Sequence, residues 1–183
     1  MPVAAVIFDL DGVIVDSEIW WHEERVAWAA ERGLRWTEAD THEVMGANSS
    51  RWARIMRERL DLEERDEPAI LEAVVQRVID AALGATGLWD EIPVVVSSDE
   101  VAHGKPEPDV YLEAARRLRV PPGECLVVED SVNGVRAGVA AGMTVILVPN
   151  ASVPPAPGAN AIAHYVLGNL RDLDPATIRL RAQ

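Results

Sequence analysis

The chain is short of cysteine, of phenylalanine and of positive charge, and each shortage narrows what it can be. Its single thiol, Cys125, can form neither an internal disulfide nor a cysteine-rich metal site. That fits a reducing compartment, and a cytoplasmic location is expected. With 17 Lys plus Arg against 30 Asp plus Glu, the net charge is -13. Such a surface repels phosphodiester backbones and anionic lipid, so neither nucleic acid nor a membrane is an expected partner. No apolar run approaches the length of a membrane span. The opening MPVAAVIFDLDGVIVD carries early acids and no basic leader, and does not read as a secretory signal.

What is present suits a packed globular chain. The 183 residues are 49% hydrophobic and 26% charged, enough for one domain or one domain with a smaller insert. Five of the six tryptophans lie between Trp20 and Trp52, so the aromatic material belongs to one segment, where packing within a helical block is its expected use. A pocket-lining role for Trp20 or Trp21 is the alternative.

The short apolar run Ala4 to Phe8 predicts a strand buried on both faces. From Ser17 to about Leu83 the pattern is helical, with Gly33 as a stop, a second helix over Arg51 to Leu60, and a third from Pro68 behind the acidic start Asp66-Glu67. Strand and helix then alternate: a strand at Val94 to Val96, a helix over Pro108 to Leu118, and a strand at Cys125 to Val128. A helix follows from Val132 to Ala141, then a strand at Thr144 to Val148. The Pro-rich stretch from Pro149 to Gly158 reads as loop. A last strand near His164 to Leu167 and a helix over Pro175 to Leu180 complete the chain. The expected architecture is an α/β fold, a Rossmann-like parallel sheet (residues 1–16 and 84–183) with an inserted α-helical cap (17–83). Gly134, Gly138 and Gly142, with Ala137 and Ala141, put small residues on one helix face, as close packing on a sheet requires.

Three groups carry candidate chemistry. Asp9 and Asp11 stand two residues apart after the first strand, where parallel sheets place their ligands. Glu129 and Asp130 end another strand, and the two acidic pairs could converge on a hard cation such as Mg²⁺. A helix-capping role for the second pair, with Ser131, is compatible with that. Lys105, between Gly104 and Pro106, could neutralise clustered carboxylates and a bound phosphate.

Together FDLDGVIVDS (8–17), VVVSSDEVAHGKPEPDVYLEAARRL (94–118) and VVEDSVNGVRAGVAAGM (127–143) closely resemble the haloacid dehalogenase-like hydrolases. The subgroup is the one with a helical cap after the first strand, which holds sugar-phosphate phosphatases and β-phosphoglucomutase. The resemblance implies that Asp9 is a nucleophile forming an aspartyl-phosphate, that Asp11 is the general acid and base, and that Lys105 balances charge. It implies Mg²⁺ held by Asp9, the Asp11 carbonyl and Asp130, with Glu129 nearby. Gly12, Ser50, Arg51 and Asn133 are the candidate substrate contacts, Ser50 and Arg51 closing a cap loop from Gly46. The expected partner is a small phosphorylated metabolite, and the expected assembly a monomer or weak dimer. The implied activity is a Mg²⁺-dependent phosphatase; a phosphomutase and a catalytically impaired binding relative are the alternatives. The mutase pattern has a histidine twelve residues after the nucleophile, and here that position is Trp21.

In one respect the chain departs from the family. Members return from the cap through a second strand, beside the first, that ends in a phosphate-binding Ser or Thr. Here the cap helix runs directly into Ala81-Ala82-Leu83-Gly84-Ala85-Thr86-Gly87-Leu88, and roughly 35 to 40 residues, the size of a strand and most of a helix, have no counterpart. Ser97 and Ser98 lie too close to Lys105 to replace it.

Overall fold

The structure is a computed structural model, and it describes residues 2–44, 47, 49–150 and 158–181. The chain divides into two compact units, Met1–Asp16 with Ile92–Gln183, and Ser17–Glu91. The boundary expected at residue 84 falls inside a helix that continues to Thr86.

The first unit is a parallel sheet of four strands in the order β1 (Ala5–Phe8), β2 (Cys125–Glu129), β3 (Thr144–Leu147), β4 (Tyr165–Val166). Ala5 pairs with Cys125, and Leu126 with Thr144. Parallel strands buried on both faces read as continuous apolar runs, and β2 and β3 are buried at every residue. Alternate residues serve opposite faces. Cys125, Val127, Val145 and Leu147 pack with Val110, Tyr111, Val135 and Ala137 from the helices; Leu126, Val128 and Ile146 pack with Val3, Leu170 and Ile178. Those helices are α5 (Asp109–Leu118) and α6 (Val132–Ala140).

The second unit is α1 (Glu18–Ala30), α2 (Glu38–Val44), α3 (Ser49–Arg59) and α4 (Glu67–Thr86). Asp66 precedes α4 with Pro68 in its first turn, and Gly87 ends it at φ 69°, a left-handed conformation that glycine adopts without strain. Its core holds Trp28, Trp36, Trp52, Met56, Ile70 and Val74. Trp28, Trp36 and Trp52 thus pack within this unit, with Trp21 against them, while Trp89 is 47% exposed. The short α2, opened by reciprocal bonds between Thr37 and Asp40, lies in the stretch expected to be helical but was not separately assigned there.

Two expected elements are absent. Val94 to Val96 forms no ladder: Val96 packs on the sheet's helical face and the Val95 carbonyl accepts from Arg117 Nη1 at 3.2 Å. A strand needs a neighbour, and β1 pairs only with β2 among the described residues, which leaves its other edge open. That edge is where the unmatched family strand would lie, and Phe8 at the end of β1 is 38% exposed. The helix expected over Pro175 to Leu180 is a turn capped by Asp174 followed by extended chain, held by bonds from Tyr165 Oη to the Arg179 carbonyl and from Arg181 N to Thr144 Oγ1. The short α7 (Ala159–Ile162) precedes β4. Most of the expected 149–158 loop lies outside the described residues.

Candidate active site

Strand β1 delivers Asp9 to the carboxyl end of the sheet, and β2 delivers Glu129 and Asp130 to the same end beside it. Lys105 enters from the loop before α5. Its Nζ donates to Asp9 Oδ1 and to Glu129 Oε1, each at 2.5 Å. Residues separated by 96 and 24 positions in sequence thus meet at one ammonium. It is the one lysine of the whole chain; the other 16 basic residues are arginines. That scarcity was visible in the sequence and marks Lys105 more sharply than its flanking Gly and Pro.

Glu129 is fully buried and its carboxylate is saturated. Oε1 accepts from Lys105 and from Tyr111 Oη at 2.6 Å; Oε2 accepts from the Asp130 and Ser131 amides and the Ser131 hydroxyl, each at 3.0 Å. Ser131 Oγ also accepts from Gly134 N, capping α6, so helix capping falls to Ser131. Burial alone would raise the Glu129 pKa, but the Lys105 charge and these donors hold it below its ordinary value.

Tyr111 and Gly134 were not singled out as functional from the sequence. A Cβ on Gly134 would overlap the Glu129 carboxylate, so this glycine makes room for an acid. Gly138, by contrast, faces Val145 and Val127, as the helix-on-sheet reading expects. Gly12, at φ 89°, lies against Asp130 in the same way: a Cβ there would overlap its carboxylate.

Asp9 and Asp130 carry the opposite shifts. Burial, with Glu129 adding repulsion, pushes Asp9 up to about 7 against the pull of Lys105, and pushes Asp130 up to about 6. Two carboxylates that would rather be protonated are what a cation site looks like before its cation's charge is counted. Asp9, Glu129 and Asp130 each offer an oxygen within 4.8 Å of the others. Asp11 is exposed in the tight loop after β1, where Gly12 N bonds the Val15 carbonyl at 2.6 Å. Asn133 is exposed in the first turn of α6. Ser50 and Arg51 are exposed at the start of α3, in the other unit; Gly46 and Asn48 lie outside the described residues. Ser97 caps a short turn with Glu100, its hydroxyl accepting from Asp99 N.

The haloacid dehalogenase-like hydrolase profile matches residues 70–142. Over 86 residues the chain is 51% identical to a bifunctional riboflavin kinase/FMN phosphatase of Arabidopsis thaliana, a stretch of 46% of this chain and 22% of that protein. It is 29% identical to the fructose-1-phosphate phosphatase YqaB of Escherichia coli K12 over 181 positions, which take in 78% of this chain and 95% of that one. Since 78% of 183 residues is about 143, about 38 of those 181 positions meet no residue here, close to the size of the unmatched strand and helix. The crystal structure of a putative β-phosphoglucomutase from Thermotoga maritima superposes with a TM-score of 0.58 at 25% identity, covering 91% of this chain and 94% of that one. Over residues 70–142 the chain is thus similar to the haloacid dehalogenase-like hydrolases, and it spans only about a fifth of the length of the Arabidopsis relative it matches. Among its described residues, no helix is long and apolar enough to cross a membrane.

Proposed function

We propose that this chain is a Mg²⁺-dependent phosphatase for a small phosphorylated metabolite. The observation that carries the reading is Lys105 bridging Asp9 and Glu129 at the carboxyl end of the sheet. Asp9, the Asp11 carbonyl and Asp130 are the groups that would hold the ion. Glu129 contributes charge to the site while its oxygens stay with five protein donors. The hard oxygen donors suit Mg²⁺, which supplies electrostatic stabilisation of the transferring phosphoryl group when bound.

In this reading an Asp9 oxygen attacks phosphorus, forming an acyl-phosphate bond as the ester P–O bond breaks. Asp11 donates a proton to the departing oxygen. Water then attacks the aspartyl-phosphate, gives its proton to Asp11 and releases inorganic phosphate, restoring Asp9. Lys105 offsets the charge on the transferring oxygens. The named YqaB relative supports sugar phosphates as the class to try first. Trp21, where a mutase-type histidine would stand, favours water over a second sugar as the phosphoryl acceptor.

One observation favours a second reading, a catalytically impaired binding relative: the open edge of β1, where the phosphate-binding strand would pair. Phosphate release from p-nitrophenyl phosphate and fructose 1-phosphate, with Mg²⁺ and with EDTA, decides between them. Release that needs Mg²⁺ and vanishes in Asp9→Asn supports the phosphatase. Release unchanged by Asp9→Asn sinks it, and no release from any substrate of a sugar-phosphate panel leaves the impaired relative.

A further inference from the structure

We propose that the helical unit carries an oxyanion site of its own, built on Arg25 between the indoles of Trp21 and Trp52. Trp21, Arg25 and Trp28 recur along one face of α1, and Trp52 comes from α3. The Arg25 guanidinium carbon lies 5.1 Å from the Trp21 ring centroid and 4.8 Å from that of Trp52. The two rings meet edge to face, with centroids 5.9 Å apart.

Arg25 is 7% exposed, yet it makes no hydrogen bond or ion pair with any described residue. Its Nε is fully enclosed without an acceptor. This is anomalous in so acidic a chain. Arg57, Arg59, Arg77 and Arg117 are all more exposed than Arg25, and each meets a carboxylate. A guanidinium does not shed its proton to escape burial. Stacking on two indoles uses its faces, whereas its five N–H donors lie in its plane and remain unmet. Glu18 acts on it only through space.

Of the three guanidinium nitrogens only Nε is among the enclosed, unpartnered atoms, so the two terminal amino groups are the ones left to meet a ligand. A planar, charged fork whose terminal amino groups have no partner among the described residues matches a phosphate or carboxylate group, which accepts two parallel bonds. A neutral polyol would leave the charge uncompensated. The proposal goes beyond the phosphatase reading and does not depend on it.

The test is a titration of the full chain, freed of metal with EDTA, with inorganic phosphate and with malonate at constant ionic strength. Indole emission reports binding, because two of the six tryptophans flank the guanidinium. A saturable change is expected in the wild type and in Asp9→Asn. It should weaken about tenfold or more in Arg25→Lys, which keeps the charge and loses the fork, and vanish in Arg25→Met. A response to phosphate alone identifies a phosphoryl group as the ligand; a response to both identifies either oxyanion. Should Arg25→Met fail to fold, thermal melting of Arg25→Lys carries the test: phosphate raises the wild-type midpoint and leaves that of Arg25→Lys where it was. Equal responses in wild type and the Arg25 variants, loss of the response in Asp9→Asn, or no saturable response to either anion would overturn the proposal.

Discussion

A Cβ on Gly134 in α6 would strike the Glu129 carboxylate. The buried acid and the glycine five residues later are therefore a pair, and the absence of a Cβ is what lets Glu129 reach Lys105 and Tyr111. Gly134→Ala forces one of them to move. A loss of about 1–3 kcal/mol is expected in urea unfolding, the usual cost of overpacking. Gly84→Ala is the control: it lies inside α4 with nothing within 4 Å of its Cβ position, so it should be neutral or stabilise by up to about 1 kcal/mol. Equal losses in both would mean that the Glu129 seat is not the cause.

Removing Lys105 strands a buried anion. Lys105→Met leaves Glu129 at 0% exposure without its counter-charge, and unfolding free energy should fall by about 3–5 kcal/mol. The double variant Lys105→Met/Glu129→Gln should recover part of that stability while phosphate release stays absent. A double variant no more stable than the single one would refute the pairing as the source of the loss.

Tyr111→Phe keeps the ring beneath the Lys105 ammonium, 5.2 Å from its centroid, and deletes only the hydroxyl that donates to Glu129. Hydrogen bonds to charged groups contribute about 1.5–3 kcal/mol, and a stability loss in that range is expected. Because Tyr111 acts through Glu129 and Lys105, kcat should drop with KM little changed. A rise in KM alone would place Tyr111 at the substrate instead.

The shifts on Asp9 and Asp130 fix a pH dependence. Both pKa values are raised by folding from 3.8, to about 7 and about 6, so the fold holds these protons more tightly than the unfolded chain does. Their contribution to stability is present in full below pH 3.8 and is lost as pH rises through about 6 to 7. In EDTA the melting midpoint should carry a component that falls across that window. Added Mg²⁺ should raise the midpoint above it and have little effect well below it, where protons compete for the same oxygens. A Mg²⁺ effect independent of pH would exclude these two carboxylates as its ligands.

The site's acids were legible because each stands at the end of an apolar run, and a parallel sheet gathers strand ends. Their partners were not. Nothing near Tyr111 in the sequence points to Glu129, eighteen residues away, and Gly134 looked like its neighbour Gly138 until the Glu129 carboxylate was seen above it. Val94 to Val96 has the composition of a strand, but strand formation depends on a neighbour, and among the described residues no strand pairs with it. The sequence does not single out Arg25, since spacing shows which face a residue shares and not whether an acid waits opposite.

The solitary lysine has a chemical corollary. Apart from the terminal amine, the chain offers acylating reagents a single primary amine, and that amine is the one clamped between Asp9 and Glu129. An acetyl group on Lys105 would cancel the charge that both acids share. In this chain internal acetylation and loss of the site are thus one event, readable as a single mass increment.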